Sequence, residues 1–172
     1  MPDERLQYPI GKFSAKENYT TEEIGTLISA IENLPGNMEG VLKKLSPQQL
    51  DTPYRPGGWT ARQVIHHVAD SHMNAYIRFK WSLTEDTPLI KAYNEKLWAE
   101  TYETKMDPAL SMSLIKSLHV KWITLLRSLS KDDLQKSFLH PETGKHVRLD
   151  RLIALYAWHG EHHLGHLKIV LG

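Results

Sequence analysis

The chain has no cysteine, which excludes disulfide scaffolds, thiolate zinc fingers, iron–sulfur clusters and cysteine-nucleophile enzymes together. Any metal has to be held by His, Asp or Glu. An excess of charge of one sign is lacking too. Lys plus Arg number 21 against 20 Asp plus Glu, leaving +1 with His neutral, so neither nucleic acid nor an anionic membrane is an expected partner. No stretch approaches the roughly 18 apolar residues of a membrane span, and Met1 to Pro9 lacks the basic-then-apolar order of a secretory signal. The expected location is the cytoplasm. What is present is the balance of a soluble globular protein: 172 residues, 41% hydrophobic and 24% charged, read as one domain over 1–172 with enough chain to bury a core.

Residues 1–18 carry prolines and little periodicity and are expected to form an extended N-terminal arm. Thr20 and Glu23 then make a capping box, with Ile24, Leu27, Ile28 and Ile31 at helical spacing, so a first helix is predicted over about 20–45, bent or broken at Pro35-Gly36. After a short turn at Ser46-Pro47 and a breaker-rich loop, Thr60 and Gln63 cap a second helix that runs to about Leu83. Its core side is Ala61, Ile65, Val68, His72, Ala75, Tyr76, Phe79 and Leu83. Gln63, His67, Asp70, Ser71, Asn74 and Arg78 form a polar stripe.

Residues 84–107 are long for a connection and read as a lid or crossover. Asp107-Pro108 opens a third helix with a stripe of Leu110, Leu114, Leu118, Trp122, Leu125 and Leu129, read as core and interface. A small hairpin is predicted around Glu142-Thr143-Gly144, and a fourth helix from about Leu149 to the end. The fold expected is all-α: a four-helix bundle of up-down-down-up type, with the hairpin before its last helix.

Seven of the ten histidines fall in two windows: His66, His67 and His72 in the second helix, and His159, His162, His163 and His166 in the fourth. Residues four apart on a helix stack one turn above each other, so His159/His163 and His162/His166 are both possible chelating pairs. His159, His163 and His166 share the core-facing arc. Imidazoles buried side by side leave nitrogens without partners and repel one another when protonated, and one divalent cation relieves both problems. Two histidines from the fourth helix and one from the second would leave a fourth position open, as in catalytic zinc sites. His72 reads as a packed core residue, and His66 and His162 as rim residues. Asp70 is a candidate to orient an imidazole, Gln63, Asn74 and Arg78 are candidates to contact substrate, and no general base can be named.

The run from Gly57 through Trp59-Thr60 and His66-His67 to His72, with Trp158-His-Gly-Glu-His-His-Leu-Gly-His166, resembles the YfiT family of metal-dependent hydrolases in the DinB-like superfamily, which includes bacillithiol-transferase-like members. Leu50 to Arg55 and Tyr76 to Lys80 extend the resemblance over nearly the whole chain. In that superfamily the first ligand lies eight residues after the Trp of a Trp-Ser/Thr motif, which implies His67. The other two come from a His-x-x-x-His before a Gly-Gln pair, which implies His159 and His163; where the superfamily has that Gln, this chain has His166. The resemblance also implies a homodimer, one divalent metal per subunit (zinc first, nickel second), and a small-molecule substrate or thiol. Hydrolysis is the expected activity. The alternatives are transfer of a low-molecular-weight thiol to an electrophile, or a non-catalytic metal-binding module closed by His166 as a fourth ligand.

Overall fold

The computed structural model describes residues 4–172, and the first three residues of the expected arm lie outside them. The arm begins with a helical turn, α1 (Glu4–Gln7), and is extended only beyond it. Helix α2 (Thr21–Leu42) starts at the expected capping box: Thr20 accepts from the Glu23 amide, and the Glu23 carboxylate accepts from the Thr20 amide. Such a cap is worth about 1 kcal/mol. Of the bend or break expected at Pro35, the break does not occur: α2 runs through it. A mid-helix proline costs about 3 kcal/mol when nothing offsets it, because the carbonyl one turn back loses its donor and is crowded by the ring. Here the carbonyl of Ile31 finds a substitute donor in His119, 2.8 Å away on another helix.

A second box at Ser46/Gln49 caps α3 (Pro47–Leu50), and the third, at Thr60/Gln63, caps α4 (Ala61–Thr84). The crossover carries α5 (Glu95–Trp98) and a 3-10 turn (Tyr102–Lys105) before α6 (Ala109–Arg127), whose first amide is capped by the Asp107 carboxylate. After α7 (Lys131–Gln135), strands β1 (Ser137–His140) and β2 (Lys145–Arg148) pair antiparallel, Ser137 opposite Arg148 and His140 opposite Lys145. Gly144 closes the turn with φ +62°, a conformation that glycine adopts without strain. Helix α8 (Leu149–Leu171) completes the bundle.

The four long helices pack as a ring in which α2 and α4 each touch both α6 and α8. Their buried side chains form two apolar clusters, one around Ile31, Phe79, Trp122 and Tyr156, the other around Leu34, Val64, Ile115 and Leu164. Between them lies a layer of histidines: His72 on α4, His119 on α6, and His159 and His163 on α8. The stripe expected on the third helix is rotated. Met112, Ile115, His119, Trp122 and Leu126 face the core, while Leu110 and Leu114 are 61% and 42% exposed. Among the described residues no helix is long and apolar enough to cross a membrane.

Candidate metal centre

Helix α4 carries His67 on the stripe that sequence alone would leave in water, yet His67 is buried, as are Ser71 and His66. The first half of α4 is covered on every side: by α8, by α6, and by the crossover, which Gln63 pins through a 2.9 Å bond from its amide nitrogen to the Ala99 carbonyl. Helix α8 supplies His159 and His163 one turn apart. The three imidazoles expected as ligands meet, each placing a ring nitrogen within 4.8 Å of the others. His67 Nε2 and His159 Nε2 are 3.2 Å apart. Two nitrogens bound to one tetrahedral zinc at 2.0–2.1 Å stand about 3.3 Å apart, so this pair needs almost no adjustment to take a cation.

A cation requires lone pairs, and the electrostatics supply them. Burial pushes His67 down to about 4, with the neighbouring His162 and His166 acting in the same direction. It drives His159 and His163 well below the usual imidazole range, again first by desolvation and then by their histidine neighbours. Neutral imidazole is the metal-binding form, so the cluster is competent at neutral pH.

The trio forms part of the wall of a cavity of about 770 Å³. Aromatic rings line it: Trp59 lies 4.5 Å from His67, Tyr54 stacks on His166 at 3.7 Å, and Trp158 stacks on His162 at 4.5 Å. Gln7 and Tyr8 of the arm form one edge, and Glu95, Lys96 and Glu100 of the crossover another. The expected arm and the expected lid or crossover therefore both shape the pocket.

The remaining candidates sort by contact. His162 lines the cavity, and its Nδ1 finds no partner among the described residues. His66 is turned away from it, hydrogen-bonding Ser111 Oγ at 2.7 Å and the Met106 carbonyl at 3.3 Å, so it ties α4 to the start of α6. The Asp70 carboxylate makes no hydrogen bond to an imidazole; it is half-buried, and burial with Glu103 nearby raises it to about 6. Gln63 reaches the cavity, whereas Asn74 and Arg78 are not in its wall. Three groups were not singled out from sequence: the Trp59 and Tyr54 walls, the arm, and His119. The last could have been found as the one polar residue on the buried side of the third helix.

Three comparisons bear on this geometry. The DinB superfamily matches residues 30–167. A Bacillus cereus protein bearing the name "Putative metal-dependent hydrolase" is 53% identical over 162 residues, 94% of this chain and 93% of its own, and a Bacillus thuringiensis relative of the same designation matches equally. The structure of YfiT from Bacillus subtilis, described as a probable metal-dependent hydrolase with an unusual four-helix bundle topology, superposes with TM-score 0.94 at 44% identity over 96% of this chain and 95% of that one. A mycothiol-dependent maleylpyruvate isomerase shares the fold alone, with TM-score 0.64 at 15% identity over 82% of this chain and 59% of that one.

Proposed function

Because the chain belongs to the DinB superfamily, we propose that it is a metal-dependent hydrolase whose divalent cation, zinc before nickel and one per subunit, is held by His67, His159 and His163. The observation that carries this reading is the convergence of three neutral ring nitrogens within 4.8 Å on the wall of an accessible cavity. A divalent cation there lowers the pKa of a coordinated water or thiol and polarises a carbonyl. The protein's own contribution is geometric: α4 and α8 fix the three rings, while Trp59, Tyr54 and Trp158 give the substrate an apolar wall. Rim charges of both signs, Arg55 and Lys96 with Glu95 and Glu100, give no preference for a strongly charged substrate.

His166 is a poor fourth ligand, since its ring nitrogens are engaged by the Gln7 carbonyl and by His163. The site therefore keeps an open position, which favours catalysis over a closed metal-binding module. The expected homodimer finds support in the apolar side of α6 left exposed at Leu110 and Leu114; light scattering on the purified chain checks it, and a monomeric mass removes it.

Activated esters and electrophilic halides, offered to zinc-loaded protein with and without a cysteine-derived thiol, test the reaction. Turnover that needs no thiol, stops on chelation and returns with zinc supports hydrolysis. Consumption only when thiol is present transfers the reading to thiol S-transfer. His163→Ala is expected to abolish stoichiometric metal binding, and full retention of metal by that variant would overturn the site.

A further inference from the structure

Pro35 has no N–H for the carbonyl of Ile31, and that oxygen accepts instead from His119 Nδ1 at 2.8 Å. A peptide oxygen can only accept, so the His119 proton sits on Nδ1. The ring is neutral, pushed down to about 4 mainly by burial, and Nε2 therefore carries a lone pair. His72 Nδ1 lies 2.9 Å from that lone pair and must donate to it. His72 Nε2 is then an acceptor, 3.2 Å from His159 Nδ1, which must donate in turn. The sequence of forced choices ends at His159 with the proton on Nδ1 and a lone pair on Nε2, the atom 3.2 Å from His67 Nε2.

A second chain reaches His163. His166 Nε2 donates to the Gln7 carbonyl at 3.2 Å. Its Nδ1 is thus an acceptor, and His163 Nδ1, 3.3 Å away, is the donor. Nε2 is left as the only lone pair of His163. We infer that His119 with His72, and separately His166, are positioning residues that lock His159 and His163 in the Nδ1–H tautomer, each imidazole chain anchored on a main-chain carbonyl. The inference rests on the metal-site reading for its function, although the tautomers themselves do not.

The two anchors come from distant places: one from a proline inside α2, the other from the N-terminal arm. Each chain ends on an acceptor with no proton to give, so it sets orientation and lone-pair direction instead of conducting protons. The lock also decides between two overlapping clusters. His162, His163 and His166 form a second group within ligand distance, but the Nδ1 atoms of His163 and His166 are spent on each other, so one zinc per chain is expected.

Long-range proton–nitrogen correlation spectra of the metal-free, 15N-labelled protein read the tautomers directly. His72, His119, His159 and His163 are expected as Nδ1–H and His166 as Nε2–H. The paired variants His119→Gln and His119→Leu separate hydrogen bonding from packing, because the Gln amide oxygen still accepts from His72 whereas Leu cannot. Zinc affinity, measured by chelator competition, is expected to stay within about threefold of wild type for H119Q and to fall about 10- to 100-fold for H119L, with part of the His159 signal moving to the Nε2–H form. Nε2–H at His159 or His163 in the wild type, equal zinc affinity in the two variants, or two zinc ions per chain overturns the inference. Should H119L fail to fold, the wild-type spectrum decides alone. Wild-type protein with the expected tautomers but no zinc binding would leave the lock standing and reject the metal reading.

Discussion

Metal-free protein should lose most of its stability between neutral pH and about pH 5.5, a range in which ordinary globular domains are little affected. Five imidazoles decide this. Burial lowers His67 and His119 to about 4, and His72, His159 and His163 further, all from 6.5. With folded pKa values depressed, the unfolded chain binds more protons below 6.5; the stabilisation from keeping these rings neutral is complete above that value and is lost as pH falls. Between pH 7 and 5.5 each ring that stays neutral in the fold forfeits about 1.2 kcal/mol. Five of them forfeit about 6 kcal/mol, comparable with the whole stability of many domains at about 5–15 kcal/mol. Asp70 acts in the opposite sense, since its carboxyl is raised to about 6 and gains a proton preferentially in the fold. It is half-exposed, so after screening its compensation over this interval stays below about 0.8 kcal/mol. Urea titrations followed by far-UV circular dichroism, in chelator, measure the loss as a function of pH. A change below about 1 kcal/mol over that interval would show that the histidine layer is hydrated or already charged, and the electrostatic account of the site would fail with it. Zinc at about a hundredfold excess over its dissociation constant should add about 2.7 kcal/mol and move the acid transition to lower pH.

Asp70→Asn removes a carboxylate that is ionised at neutral pH against its environment, so the variant should gain about 1 kcal/mol at pH 7.5, and the gain should fall to about half by pH 5 and vanish below about pH 4; an unchanged denaturation midpoint at pH 7.5 speaks against the raised carboxyl. Gly165→Ala would place a Cβ 2.7 Å from Cγ and 3.0 Å from Cβ of Pro9. A proline ring cannot rotate aside, so the arm must lift from α8, and proteolytic cleavage before Gly11 is expected to accelerate several-fold while bundle unfolding changes little. Unchanged proteolysis would mean that Pro9 is not seated there.

Much of the scaffold was legible because its signals are local. The boxes at Thr20/Glu23 and Thr60/Gln63 need only a side chain and an amide three residues away, and both fall where expected. The hairpin turn is equally local, ending at Gly144. Where the sequence reading went astray, the deciding partner was remote. Pro35 was expected to bend or break α2 because propensity counts the lost N–H and cannot see that His119, on α6, supplies another. The leucines of the third helix have the right period but the wrong phase: Leu110 and Leu114 are exposed, and the neighbouring arc of Met112, Ile115 and His119 is inside. A helical wheel assumes one wet face, an assumption α4 violates around His66, His67 and Ser71.

The site was readable to a different depth. His67, His159 and His163 are the ligands that the family resemblance implies, and the bundle brings them together. Their preparation for a ligand was not readable, because a tautomer is set by whichever acceptor faces the far nitrogen, and those acceptors are main-chain oxygens of Ile31 and Gln7, 88 and 159 residues from the histidines they engage. Any residue type has a carbonyl, so no pattern of side chains reports which one will be free. What makes the Ile31 oxygen available is a residue that helix propensity scores as a defect. The cost of Pro35 to α2 and the orientation of His159 are therefore one structural fact seen from two ends: the hydrogen bond that the helix gives up is the one that fixes the first imidazole of the chain leading to the candidate metal centre.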